Sequence, residues 1–338
     1  MPRKILVVGP AWVGDMVMAQ CLFKILKQQN VNHRIEVLAS PWTFSLLKCM
    51  PEVSHAIEMP IGHGELKLKM RYQIAKALKT QQFDQAIVLP NSFKSALIPW
   101  FAQIPQRTGW LGEGRYFLLN DIRHLDKKRY PLMIEQYIAL GLPRNALLPQ
   151  VYPSPQFHVT SLSKEKVLAQ FKPLWRGRPV LALCPGAAFG TAKRWPEAYY
   201  AAVANQKIAQ GWDVWLFGSK QDGASIEKIM RLTNQQCEDL SGRTELSETI
   251  DLLSLAAGVV TNDSGLMHVA AALNKPLIAL YGPTSPAFTP PLSSDAKVLR
   301  LSLECQPCFA RDCPLGHHRC MRDLTVDQVL TAIAKWGS

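Results

Sequence analysis

Residues 5–8, Ile-Leu-Val-Val, form an apolar run with no polar alternation, the pattern of a strand covered on both faces of a parallel sheet. Similar short runs recur at 35–38, 86–89, 180–184, 214–217, 259–261 and 277–280. Between them the spacing becomes helical. Residues 16–28 set Met16, Ala19, Leu22, Phe23 and Leu26 on one face. Further helices are expected at 42–50, 66–79, 197–210, 224–232, 245–256, 266–273 and 325–336. Strands and helices alternating in this way predict an α/β fold on parallel sheet. The pattern breaks at 142–157, where Pro143, Pro149, Pro153 and Pro155 occur with little periodicity, as in a linker. On either side the order strand, loop, helix restarts. The chain is therefore expected to form two doubly wound halves, with a first domain at 1–150 and a second from 151.

Length and composition agree with this. A chain of 338 residues suits two domains, and 48% hydrophobic with 19% charged residues is ordinary for a globular protein with sizeable cores. No run approaches the roughly 18 apolar residues of a membrane-spanning helix. The first residues superficially resemble a signal peptide, but Gly9-Pro10 and Asp15 interrupt the apolar run, so a buried first strand in a cytoplasmic protein is expected. The net charge of +12 points to an anionic partner. Basic residues are spread along the chain and no nucleic-acid motif stands out, which favours a phosphorylated substrate or an acidic membrane surface over nucleic acid. Residues 66–79 carry Lys67, Lys69, Arg71, Lys76 and Lys79, which suits a solvated helix face better than a docking surface.

The chemistry gathers in loops at the carboxyl ends of strands, where open α/β sheets bind ligands. Residues 259–286 read as strand, tight loop, helix, strand. Asp263, Ser264, Gly265 and His268 lie at the start of that helix, where unpaired N–H groups favour a phosphate. Asp263 and Ser264 suit an ordinary helix cap equally well. Two neighbouring loops offer Gly186, Lys193 and Arg194, and Gly218, Ser219 and Asp222. A glycine loop, a lysine and a helix start are what a diphosphate needs, and an acidic residue such as Asp222 suits a ribose diol. The opening loop, Gly9 through Asp15, lacks the G-x-G-x-x-G dinucleotide pattern. Its Asp15 is read either as the cap of the helix from Met16 or as a general base. Lys94, Arg107 and Arg115 are candidates for a phosphorylated acceptor, or ordinary surface cations.

Four cysteines form a separate group. Cys305, Cys308, Cys313 and Cys320 lie within one short segment, with His317 and His318 between the last two. Four thiolates at short spacing can close around a structural zinc, and an iron–sulfur cluster or free thiols are the other readings. Cys21, Cys49, Cys184 and Cys237 are scattered and read as small buried hydrophobes.

Several of these stretches carry a family resemblance. G-P-A-W-V-G-D-M-V-M at the start, L-P-N-S-F-K-S-A in the first half, and C-P-G-A with F-G-T-A-K-R-W-P in the second are three of them. T-N-D-S-G-L-M-H-V-A-A-A-L and Y-G-P-T-S-P complete the set. Together they resemble the ADP-heptose:lipopolysaccharide heptosyltransferases over nearly the whole chain.

The resemblance implies a GT-B fold, two Rossmann-like domains facing across a cleft, with a second domain at 151–320 and a C-terminal helix, 321–338, returning to the first domain. It implies inverting transfer of L-glycero-D-manno-heptose from ADP-heptose onto the first heptose of the lipopolysaccharide inner core. Asp15 would be the base. Lys193 and residues 263–268 would hold the donor, with His268 assisting if it is protonated, and Asp222 matches a ribose contact only roughly. Lys94 and Arg107 would meet a phosphorylated lipid A–core acceptor at the inner face of the cytoplasmic membrane, where the protein would be peripheral. No cofactor is required for the transfer, and the cysteine segment stays outside the mechanism, its role open. Alternatives are a first or third heptose transferase of the same fold, or a nucleotide- or metal-binding module without catalysis.

Overall fold

The structure is a computed structural model and describes residues 1–62, 64–171 and 176–336. The chain divides into two compact units at Pro155/Gln156, a few residues beyond the boundary expected at 150.

In the first unit β1 (Lys4–Val8), α1 (Val13–Gln29), β2 (Arg34–Ala39), α2 (Phe44–Lys48), β3 (Val53–Glu58) and α3 (Leu68–Lys79) come first. They are followed by β4 (Gln85–Val88), α4 (Leu97–Phe101), β5 (Gln106–Trp110), β6 (Asp121–Arg123) and α5 (Met133–Gly141). The six strands order as β3-β2-β1-β4-β5-β6, with every neighbouring pair parallel. The apolar runs of β1, β2 and β4 occupy the middle of the sheet, where both faces are covered.

β3, β5 and β6 escaped the pattern because they are not uniform apolar runs. β3 lies at an edge and is partly exposed, and β6 is three residues long. β5 is polar but still buried at Thr108. That hydroxyl accepts from Gln85 Nε2 (3.0 Å) and donates to Asp121 Oδ2 (3.0 Å), so side chains of three adjacent strands satisfy one another. α5 was also missed. It starts with the Glu135 carboxylate accepting from the Leu132 N–H (2.8 Å), and it lies along α1.

The second unit repeats the plan. It comprises α6 (Ser161–Gln170), β7 (Val180–Cys184), α7 (Glu197–Ala209), β8 (Asp213–Leu216), α8 (Gly223–Leu232) and β9 (Glu238–Asp239). Then come α9 (Leu246–Leu255), β10 (Gly258–Asn262), α10 (Gly265–Ala272), β11 (Leu277–Tyr281), β12 (Ala296–Arg300), α11 (Arg319–Arg322) and α12 (Val326–Ala332). The strand order β12-β11-β10-β7-β8-β9 is the first unit's order read from the other edge, again parallel throughout. Both units therefore have the doubly wound order 3-2-1-4-5-6 of a Rossmann fold.

The described part of the C-terminal segment, whose return to the first domain was expected, contributes to the core of the second unit. α12 lies against α7 and β12, and Val329 and Ile333 join the second unit's own core with Leu181, Trp195 and Leu280. Trp336 covers Gly258, where a Cβ would come within 2.3 Å of the indole. The apolar face of this helix is used up inside the second unit.

Candidate active site

In each unit the strand order reverses between two central strands, β1 and β4 in the first and β7 and β10 in the second. Loops leaving the carboxyl ends of those strands diverge there and leave room for a ligand.

At the first switch point a cavity of about 730 Å³ opens between the loop after β1 and the loop after β4. Asp15, Ser40, Arg71, Asn91, Lys94 and Tyr137 are among the residues lining it. Asp15 is not the cap of its helix. α1 begins at Val13, two residues before Asp15, with Trp12 at the cap position. Asp15 therefore sits in the first turn, where the helix dipole favours a negative charge. Buried Tyr137 of α5 faces the same site, and its phenol is pushed well above its usual range by burial and by the charge of Asp15.

The cations of this unit divide sharply. Arg115, fully buried, donates to the carbonyls of Trp110 (2.6 Å) and Pro90 (2.6 Å), to Ser95 Oγ (3.0 Å) and to Asn91 Oδ1 (3.2 Å). It ties the loop after β4 to the end of β5, and burial lowers its pKa to about 10, leaving it charged near neutrality. Arg71 belongs to the buried stripe of α3 with Ala75 and Leu78 and donates to the carbonyls of Leu66, Lys94 and Glu65. Counting it with the solvated face of that helix was wrong, although its spacing of four from Ala75 marks the inward side.

Arg107 is not at the cavity. It lies at the amino end of β5, and its guanidinium donates to the carbonyls of Leu118 (2.8 Å) and Ile104 (2.6 Å). The acceptor role expected for it therefore has no support in its position, whereas Lys94 does line the cavity.

The second switch point gathers the other predicted residues. A single 3-10 turn, Thr191–Lys193, brings the Lys193 Nζ to the Asp263 carboxylate (2.7 Å) and carbonyl (3.3 Å). The ammonium also lies 5.0 Å from the centre of the Phe189 ring. Thr284, from the loop after β11, donates to the same Asp263 oxygen. Asp263 thus holds a cation and a hydroxyl rather than capping α10.

Ser264 occupies the cap position of α10, but no side-chain hydrogen bond caps that helix end. The first N–H groups of α10, among them that of Gly265, are oriented by the helix towards whatever lies beyond it. His268 is one turn in and only 5% exposed. Burial lowers its pKa to about 4, against the opposing pull of Asp263, so it is neutral near pH 7. The condition that His268 be protonated is therefore not met, and its neutral imidazole can donate or accept a hydrogen bond.

Asp222 is taken up by its own loop. Its Oδ2 accepts from the Ser219 N–H (2.9 Å) and hydroxyl (2.7 Å), and its Oδ1 from Arg194 Nη2 (3.3 Å). It lies so close to Gly186 that a Cβ there would be 2.6 Å from the carboxylate. The predicted ribose contact is in this structure a brace between two loops. Arg194, named with Lys193 in the sequence, has a buried Nε with no hydrogen-bond partner.

The cysteine segment closes on itself. Cys305, Cys308, Cys313, Cys320 and His317 line one cavity of about 20 Å³, and the four thiols are free. Cys320 is pushed up to about 11 by burial and by the neighbouring thiols, whereas the His318 N–H holds Cys313 low. Among the described residues, no group of three or more His, Cys, Asp or Glu is arranged to hold a metal ion.

Comparison with known proteins agrees with this anatomy. The family model described as glycosyltransferase family 9 (heptosyltransferase) matches residues 71–319. The chain is 48% identical to lipopolysaccharide heptosyltransferase 2 of Escherichia coli (strain K12) over 336 residues, covering 97% of this chain and 96% of that one. It is 47% identical to lipooligosaccharide heptosyltransferase 2 of Haemophilus ducreyi, with 97% of both chains covered. The solved structure of the ADP-heptose lipopolysaccharide heptosyltransferase II of E. coli superposes with a TM-score of 0.87 at 45% identity, covering 98% of this chain and 97% of that one.

Proposed function

This chain belongs to glycosyltransferase family 9, the heptosyltransferases, and from that premise we propose that it transfers heptose from ADP-heptose to the first heptose of the lipopolysaccharide inner core, with inversion. The full-length likeness to heptosyltransferase 2 proteins favours the second heptose over the first or third, and an enzyme over a binding module.

In this reading the first unit takes the acceptor and the second takes ADP-heptose. Lys94, which lines the cavity, suits a phosphorylated acceptor. Asp15 is the base. It removes the proton from an acceptor hydroxyl as that oxygen bonds to the anomeric carbon. The bond from that carbon to the diphosphate breaks, and its electron pair leaves with ADP. Charge growing on the diphosphate meets Lys193, the N–H groups at the start of α10 and neutral His268 as a hydrogen-bond donor.

Lys193 is held in advance by Asp263, whose carboxylate is itself fixed by the Thr284 hydroxyl, so little reorganisation is needed when the donor binds. The observation that carries the donor assignment is this convergence of Lys193, Asp263 and an uncapped helix start at one switch point. The reading includes work at the inner face of the cytoplasmic membrane. Among the described residues no helix is long and apolar enough to cross a membrane, and the net charge of +12 suits peripheral attachment.

Purified protein incubated with ADP-heptose and core acceptors bearing zero, one or two heptoses should release ADP and add one heptose only to the one-heptose acceptor, read by mass spectrometry. Addition to the heptose-free acceptor instead would move the chain to the first transfer step, and addition to none would sink the reading.

A further inference from the structure

We propose that the outer face of α3 and α4 in the first unit is a docking surface for an anionic lipid bilayer. This rests on the reading of the acceptor as a membrane lipid and names the surface that meets that membrane. α3 buries Arg71, Ala75 and Leu78 and turns Tyr72, Lys76 and Lys79 outwards. Tyr72 is 56% exposed, and Trp100 at the end of α4 is 42% exposed. Phe101 joins them, meeting Tyr72 edge-on at 5.5 Å and Trp100 at 5.0 Å between ring centres. Together with Lys76, Lys79 and Gln103 these rings line an open groove of about 770 Å³.

Charge decides what fits it. Residues 66–83 hold Lys67, Lys69, Arg71, Lys76 and Lys79 and no acidic residue, and residues 91–107 hold Lys94 and Arg107 and no acidic residue. Of these, Lys67 is paired with Glu65, and Arg71 and Arg107 are turned to backbone carbonyls. Lys94 lines the acceptor cavity, Lys69 is exposed, and exposed Lys76 and Lys79 remain beside the aromatic cluster. Amphipathic aromatic rings flanked by lysines are the composition of a surface that sits at lipid headgroup level. The buried centre of a protein interface is by contrast poor in lysine.

Position supports the same occupant. Leu66 and Arg71 at the start of α3, and Phe93 and Lys94 just before α4, line the cavity that contains Asp15. Leu66, Leu68 and Phe93 are exposed and apolar, extending the apolar surface towards the cavity rim. A lipid partitioned against this face would therefore have its sugar head beside the acceptor cavity of the same unit.

The test is flotation of the full-length protein with phosphatidylglycerol-containing vesicles and with purely zwitterionic vesicles, without substrate. Two variants probe the face, K76Q/K79Q and Y72S/W100S. A third, K127Q/K128Q, removes the same charge from an exposed loop of the same unit. The lysine pair should weaken partitioning to anionic vesicles about 30-fold. The aromatic pair should weaken it by at least about tenfold, and the loop control by less than about threefold. Heptose transfer to a deacylated, water-soluble acceptor should be unchanged in all three, with an unchanged thermal midpoint to show that each is folded.

Unchanged vesicle binding by K76Q/K79Q, an equal loss in the loop control, or equal binding of wild type to zwitterionic vesicles would each overturn the docking surface. If wild type floats through this face yet transfers heptose to no acceptor, the functional reading fails and the surface stands.

Discussion

The two switch points share one strand order and use their positive charge in opposite ways. In the first unit Arg71, Arg107 and Arg115 donate mainly to backbone carbonyls and hold loops in place. In the second, Lys193 meets a side-chain carboxylate next to an uncapped helix start. A guanidinium saturated by carbonyls cannot turn to a ligand without breaking the fold. An ammonium held by one aspartate can exchange part of that contact for a diphosphate. The same architecture thus carries arginines bound to carbonyls in one unit and a lysine bound to a carboxylate in the other, and the difference lies in the loops and not in the sheets.

The sharpest test of this contrast is Asp15→Asn. It keeps the helix turn and the cavity but removes the base, so turnover should fall about a thousandfold while ADP affinity, measured by calorimetry, stays the same. Full turnover would remove Asp15 from the chemistry.

Arg115→Met should act on stability, leaving the carbonyls of Trp110 and Pro90 without a buried donor. A loss of about 3 kcal/mol in denaturant unfolding is expected. If stability holds and only acceptor affinity changes, Arg115 belongs to the ligand and the contrast collapses.

Lys193→Ala should slow transfer about 100-fold, and because it leaves the buried Asp263 carboxylate without its cation it should also lower the unfolding midpoint.

The smallest effect near neutrality concerns His268. Its folded pKa lies below the ordinary value of 6.5, so between about pH 6.5 and about pH 4 the unfolded chain binds the extra proton. The contribution of the neutral, buried imidazole to stability is fully present above pH 6.5 and declines as pH falls through that window. His268→Gln should flatten that acid limb in thermal melts and leave the pH profile of donor binding between 7 and 8 unchanged. A titration of donor binding centred near pH 6.5 in wild type and lost in the variant would mean that His268 works as a cation after all.

Much of the molecule was legible because its signals are local. The buried strands β1, β2, β4, β7, β8, β10 and β11 announce themselves as short apolar runs, and the glycine-bearing loops follow them directly. The Asp263–His268 turn was readable as a helix start with phosphate chemistry because cap residues and helix N–H groups are neighbours in sequence. Edge strands β3, β9 and β12 were not readable, since a half-exposed or two-residue strand has no apolar run. β5 was hidden by its polar residues, whose partners come from other strands.

By itself the sequence determined the class of fold, the division into two α/β halves, and which strand-end loops gather the charged and polar residues, because each depends on periodicity or on residues a few positions apart. Only the tertiary structure decided the state of the charged groups. Arg107 and Lys94 look equivalent along the chain, yet one braces the amino end of β5 and the other lines a cavity. Asp222 looks like a ligand contact until Ser219, Arg194 and the bare Cα of Gly186 close around it. His268 looks like a cation until burial removes its proton. The C-terminal helix finds its apolar partners in the second unit. Hydrogen bonding, desolvation and packing all depend on groups distant in sequence, and a chain read in one dimension does not contain the distances that set them.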